Sequence, residues 1–277
     1  MKIIIQDYTT NHCSQSRLLF AELQKHDNIQ PFFWSDQERM SAYDFMDTTQ
    51  PDFLIINALH TNKELVHYLS TNDTGKKIIL KISEGIDAQQ LDMIASSEFV
   101  HKHVMMTISE KEIPKIRNIN LRPCVDNNIP DIPMRRRIPL CFITDTGEIS
   151  SDLLSLSPSF HVISHTKKDA VDFHAPNIHS CGLYKNYDKI IFHNIEKFQQ
   201  PFFDAAYRTK TFFTSDDSSL SEKSIALFGQ DLNINNSEVD FNKVKQHLEE
   251  KHMPQNRARQ LLSQMPIDQS IFTKVEK

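Results

Sequence analysis

Short apolar runs alternate with helix-patterned stretches along this chain, stop once at a cluster of prolines, and then start again. Lys2 to Gln6 reads as a strand and Ser14 to Lys25 as a helix; Gln30 to Trp34 and Pro51 to Ala58 read as strands, with a short helix from Ser41 to Thr48 between them. Asn62 to Ser70 is helical, Lys77 to Ile82 a strand, Asp87 to Ser96 a helix, and Val104 to Ile108 a further strand. Two parallel neighbours in a sheet need a long crossover between them, usually a helix. The rhythm therefore predicts a parallel sheet with helices on both faces.

Pro123, Pro130 and Pro133, with the turn-forming run Asp126-Asn127-Asn128, break the pattern. The first domain is expected over residues 1–128 and a linker over 129–138. From 139 to 277 the rhythm resumes. Pro139 to Thr144, Phe160 to Ser164, Lys189 to Phe192, Thr211 to Thr214 and the short Asp231 to Ile234 read as strands. Ile149 to Leu156, Pro201 to Tyr207, Leu220 to Phe228, Asp240 to Glu250 and Asn256 to Gln264 read as helices. The predicted fold class is α/β, with two doubly wound, Rossmann-like domains facing a cleft. Such sheets take ligands at the carboxyl ends of their strands. The length of 277 residues suits two domains. Arg135-Arg136-Arg137 is either a solvated linker tract or a contact for a phosphate or an acidic partner.

Composition narrows the function classes. Hydrophobic residues make up 39% and charged residues 24%, enough for packed cores. A formal charge of −5 argues against a general nucleic-acid partner. The N-terminus runs straight into a strand with no signal-peptide pattern, and no apolar run reaches the roughly 18 residues needed to span a bilayer. The expectation is a soluble, cytoplasmic protein without a transmembrane segment. Five glycines, none spaced Gly-x-Gly-x-x-Gly, rule out a glycine-rich phosphate loop. Cys13, Cys124, Cys141 and Cys181 are too scattered for a zinc site. His101-Lys-His103 has ligand-like spacing if it lies on a strand, but no acidic or cysteine partner stands nearby, so no metal is expected.

Chemistry concentrates in Glu196-Lys-Phe-Gln-Gln-Pro-Phe-Phe-Asp204-Ala-Ala, followed by a strand that ends in Ser215-Asp216. Glu196 follows an apolar strand, and Asp204 is placed in the first turn of the next helix, where the dipole favours an anion. Taken alone, Asp204 reads as a helix-start residue and Glu196 as a surface charge. The whole frame resembles the sugar-nucleotide motif of the GT-B glycosyltransferases, group 1-like and retaining, with Lys197 and Gln199 where that family carries glycines. Leu121-Arg-Pro-Cys-Val-Asp126 resembles the run that closes the family's first domain. His252-Met-Pro-Gln-Asn-Arg257-Ala-Arg-Gln-Leu-Leu262 resembles its last helix, which packs back on that domain.

The resemblance implies transfer of a sugar from a nucleotide-sugar donor, without metal or other cofactor, to an acceptor that is a saccharide, a lipid or a protein. Glu196 would meet the sugar hydroxyls, Asp204 the ribose, and Ser215 with Asp216 the neighbouring wall. Thr144, Gly147, His165 and Asn194 are further nucleotide-binding candidates at or just past predicted strand ends. His12 and His60 follow first-domain strands and are candidates to act on the acceptor. The alternatives are a non-catalytic binding or assembly protein of the same fold, and a sugar epimerase.

Overall fold

The computed structural model describes residues 1–6, 15–34, 42–58, 71, 78–82, 88–109, 112–127, 130–144, 149, 151–164, 173–174, 180–215 and 217–266. It divides into two compact units. One comprises Met1–Arg122 with Arg257–Lys277, the other Pro123–Asn256.

The first unit is a six-stranded sheet in the order β2-β1-β3-β4-β5-β6, every pairing parallel. Its strands are β1 (Lys2–Gln6), β2 (Gln30–Trp34), β3 (Phe53–Asn57), β4 (Ile78–Lys81), β5 (Val104–Ile108) and β6 (Arg117–Ile119). Its helices are α1 (Gln15–Leu23), α2 (Ala42–Thr49), α3 (Ala88–Ser96) and α4 (Glu98–His103). Side chains alternate across the pleat, so a strand covered on both sides reads as an unbroken apolar run. Ile4, Leu54, Ile56, Ile78 and Leu80 pack on one face with Met46 of α2 and Val100 of α4. Ile3, Ile5, Ile55, Ile79 and Met106 pack on the other with Leu19 and Leu23 of α1. That second face is completed by the end of the chain: Ala258, Leu261, Leu262 and Met265 join the same cluster.

They belong to the last helix, α9 (Pro254–Gln264) and the turn after it. Arg257 Nε donates to Arg122 O (2.7 Å), Gln260 Nε2 to Asn120 O (3.2 Å), and Arg117 Nη1 to Gln264 O (3.2 Å).

The second unit has a five-stranded parallel sheet in the order β11-β10-β7-β8-β9. Its strands are β7 (Ile138–Thr144), β8 (Phe160–Ser164), β9 (Phe173–His174), β10 (Tyr187–His193) and β11 (Lys210–Thr214). Helices α5 (Ser151–Leu154), α6 (Gln200–Arg208), α7 (Ser218–Phe228) and α8 (Phe241–Lys251) accompany them. Leu140, Phe142 and Ile191 anchor one face, with Leu153, Leu154 and Phe212. Phe192, Phe198, Phe202, Phe203, Phe213 and Phe228 form an aromatic cluster whose contacting ring centroids lie from 4.8 Å (Phe192–Phe202) to 6.4 Å (Phe202–Phe213) apart.

Two doubly wound α/β units are thus present, as the rhythm predicts. The units part at Arg122–Pro123, before the proline cluster, because Pro123–Asp126 already bonds to α6 and α8. Gln200 Nε2 donates to Cys124 O, the Val125 N–H to His252 O (2.8 Å), and Arg208 Nη2 to Asp126 O (2.6 Å).

Several expectations change. His101 and His103 lie on α4, not on a strand, so a spacing of two turns them to different sides. His101 Nε2 bonds Ala95 O (2.7 Å), and the His103 ring packs on Phe99 (5.2 Å). Asp231 to Ile234 contributes a single bridge, Phe213 to Asn233, rather than a strand. β6 was not expected; Arg117-Asn-Ile119 is too short and polar to register as an apolar run. The helix expected over 62–70 lies outside the described residues. Among the described residues no helix is long and apolar enough to cross a membrane.

Leu261 is fully buried in the first unit's second face. Leu261→Ala is expected to cost about 2–5 kcal/mol of that unit's stability, read as a lower urea midpoint. An unchanged midpoint would mean that α9 is not part of the core.

Candidate functional site

β10 carries the chain out at the carboxyl edge of the second sheet, beside the end of β7. Past His193 the backbone turns through Asn194, whose φ of 52° is left-handed, a conformation asparagine tolerates better than most residues. The following loop is pinned by Phe198, 6% exposed, whose ring sits 4.8 Å from Phe202 and 5.2 Å from Phe213. With Phe198 driven inward, its neighbours Glu196, Lys197 and Gln199 are exposed. Pro201 follows in the first turn of α6, where a missing N–H costs nothing. Gln199 caps the helix in extended conformation without a side-chain hydrogen bond.

These elements enclose a cavity of about 300 Å³, at the small end of the ligand-site range. Thr144 and Ile143 come from β7, Phe192 and His193 from β10, and Asn194, Glu196, Lys197 and Gln199 from the loop; Pro201 and Phe202 close it from α6. The floor is apolar and the rim polar. His193 Nδ1 shares a hydrogen bond with Thr214 Oγ1 (2.8 Å), which also accepts the Asn194 N–H (3.2 Å). Both bonds tie the end of β10 to β11. Burial holds the His193 imidazole below its ordinary pKa of 6.5, so the ring is neutral at pH 7. A neutral imidazole, an amide, a hydroxyl and a carboxylate around an apolar floor can bind a polyhydroxyl or phosphate-bearing group by hydrogen bonding.

Among the residues singled out by sequence, Thr144, Asn194 and Glu196 come together here. Ser215 does not line the cavity; its hydroxyl accepts the Asp217 N–H (3.1 Å). The acid that shapes that turn is Asp217, the N-cap of α7, whose carboxylate accepts from Ser219 N–H and Oγ (both 2.8 Å). Those bonds hold its carboxyl below the usual range. His12, His60, Gly147, His165 and Asp216 lie outside the described residues.

Asp204 requires a correction. It sits in the second turn of α6, not the first, and is 2% exposed. Its Oδ1 accepts the Asp126 N–H (2.6 Å), Gln200 Nε2 lies 3.3 Å from both its oxygens, and Arg208 Nη1 lies 3.8 Å away. The helix starts at Gln200, a turn before Asp204, and the apolar stripe Phe202-Phe203-Ala206 carries the acid inward. Asp204 thus holds the segment that opens the second unit.

His193 was missed as a site residue. The signal was available, since it is the last residue of a strand whose carboxyl edge was expected to bind. Among the described residues no group of three or more His, Cys, Asp or Glu could hold a metal ion.

No protein-family model and no curated protein sequence matches the chain. Solved structures do. The glycosyltransferase SsfS6 of Streptomyces sp. SF2575 aligns at 10% identity and a TM-score of 0.47, over 95% of this chain and all of its own. The glycosyltransferase SnogD of Streptomyces nogalater aligns at 10% and 0.48, over 95% and 98%. A UDP-GlcNAc 2-epimerase from Neisseria meningitidis, bound to UDP-GlcNAc, aligns at 11% and 0.42, over 95% and 99%. Likenesses this distant say nothing of chemistry, and the fold assignment rests on the strand order of each sheet.

Breaking a buried ion pair costs about 3–5 kcal/mol. Asp204→Ala is expected to lower stability by that order in a urea titration, as Arg208 and the Asp126 amide lose an acceptor; a stability loss within error would remove its structural role. Acid should weaken the fold as well. His193 and His247 both have pKa values lowered chiefly by burial, Lys251 adding to the shift at His247 and Glu250 opposing it. Between the lowered value and 6.5 the unfolded chain binds more protons, so stability is full above the window and falls as pH drops through it. The urea midpoint is expected to fall between about pH 7.5 and 5.5, and His193→Gln to remove part of that slope. A flat profile would contradict the burial of both rings.

Proposed function

We propose that the second unit binds a nucleotide-sugar in the cavity at the carboxyl ends of β7 and β10, and that the protein transfers the sugar to an acceptor as a retaining, group 1-like glycosyltransferase without a metal. The observation that carries this reading is the convergence of Thr144, Asn194 and Glu196 on one cavity with an apolar floor. Glu196 accepts hydrogen bonds from sugar hydroxyls, each charge-assisted. Asn194, Thr144 and neutral His193 supply further hydrogen-bonding groups, and Lys197 brings positive charge to the rim. A departing diphosphate needs such fixed donors and charge more than covalent help. Gly147, His165, Ser215 and Asp216 belong to the donor's surroundings in this reading, and His12 or His60 meets the acceptor.

A second reading has one observation in its favour. The helix acid that would hold the ribose is engaged with Asp126, so the fold can keep donor binding and lack transfer, acting as a non-catalytic binding or assembly protein.

Thermal unfolding with UDP-, GDP- and CDP-sugars tests the first claim. A donor at a hundred times its Kd adds about 2.7 kcal/mol. One nucleotide series is expected to raise the midpoint, and Glu196→Gln to weaken that ligand roughly tenfold or more, the loss of a charged hydrogen bond. If no series stabilises the protein, donor binding fails. If one binds but product analysis finds neither transfer nor epimerisation, the non-catalytic reading stands.

A further inference from the structure

The arginine tract takes no part in the cavity; it lies at the opposite, amino edge of the same sheet. Residues 132–134 run beside the 3₁₀ turn Ser180–Asn186 that leads into β10. The Ile132 N–H donates to Gly182 O (2.6 Å), Asn186 Nδ2 to Ile132 O (2.6 Å), and the Met134 N–H to Asn186 Oδ1 (2.9 Å). Arg135, Arg136 and Arg137 then cross to the start of β7 at Ile138, all three exposed. Beside them Lys210 opens β11 directly opposite Lys189 of β10. On the other side, Leu156 stands in the turn that leads into β8.

Two carboxylates of this edge are held in ion pairs. Asp131 is held by Lys185 (2.5 Å), with Arg208 Nε at 3.7 Å, and Asp188 by Arg137 (2.6 Å). Among the described residues no carboxylate pairs with Arg135, Arg136 or Lys210. The same edge exposes two aliphatic side chains, Ile132 at 43% and Leu156 at 52%. Among the described residues the exposed large apolar side chains, Met93, Ile132, Leu156 and Ile225, include no aromatic ring. Single-stranded nucleic acid is bound on aromatic stacking platforms, whereas a lipid interface takes basic side chains with aliphatic ones between them.

We propose that this amino edge of the second unit is a docking surface for a membrane rich in anionic phospholipid. Arg135, Arg136 and Lys210 meet the headgroups, and Ile132 and Leu156 enter the acyl boundary. The cavity lies at the far edge of the same sheet. Neither the donor nor the transfer reaction is needed for this binding.

Sedimentation with phosphatidylcholine vesicles, with and without about 30 mole per cent phosphatidylglycerol, tests it. Each basic side chain near such a surface strengthens partition about fivefold. The protein is expected to pellet with the anionic vesicles only, and to release at about 0.5 M salt. Arg135→Glu with Arg136→Glu should weaken partition roughly 25-fold or more, and Leu156→Ser should weaken it less. All these side chains are exposed, so circular dichroism and any donor affinity should match the parent. Equal binding to neutral vesicles, or indifference to the arginine reversals, overturns the proposal. So does arginine-dependent retention of single-stranded RNA without vesicle binding, which would make this a nucleic-acid edge.

Discussion

Every pairing between strands is parallel, and a parallel sheet has to be covered on both faces. Successive isoleucines of β1 point in opposite directions, Ile4 to one layer and Ile3 and Ile5 to the other, and neither can be left to water. On the second face α1 does not suffice. The chain closes the gap with its own end, so that Leu261 and Leu262 lie against a strand formed by its first residues.

Once both faces are covered, the strand ends are where a parallel sheet presents side chains to solution. At the carboxyl edge of the second sheet the loop after β10 is held by Phe198 in an aromatic cluster. A glycine loop presents its backbone; this one turns the side chains of Glu196, Lys197 and Gln199 outward, so it presents a carboxylate, an amine and amides. The bond from Thr214 to His193 fixes the cavity wall to the neighbouring strand.

Asp204 shows how a local motif is redirected by packing. Its spacing from Glu196 looks like a pair facing one ligand. Because α6 begins at Gln200, the acid falls on the second turn, where the helix's buried stripe takes it inside. There it bonds the amide of Asp126 and approaches Arg208, both within the second unit. One acid of the pair lines a cavity and the other secures the start of the domain.

Most strands, most helices and the twofold repeat of the plan were legible in the residue order, because burial on two faces writes itself as uninterrupted apolar runs such as Ile3-Ile4-Ile5 and Ile190-Ile191-Phe192. Residues at or just past strand ends, among them Thr144 and Asn194, could be marked as candidates for the same reason. What could not be read were features set by contacts distant in sequence. The helical state of His101 and His103, the pairing of the short polar β6 and the interior place of Asp204 are of this kind, as is the tie between His193 and Thr214. Periodicity reports which side of an element is dry. It does not report which residue, far along the chain, will stand against it, and only the folded chain decides that.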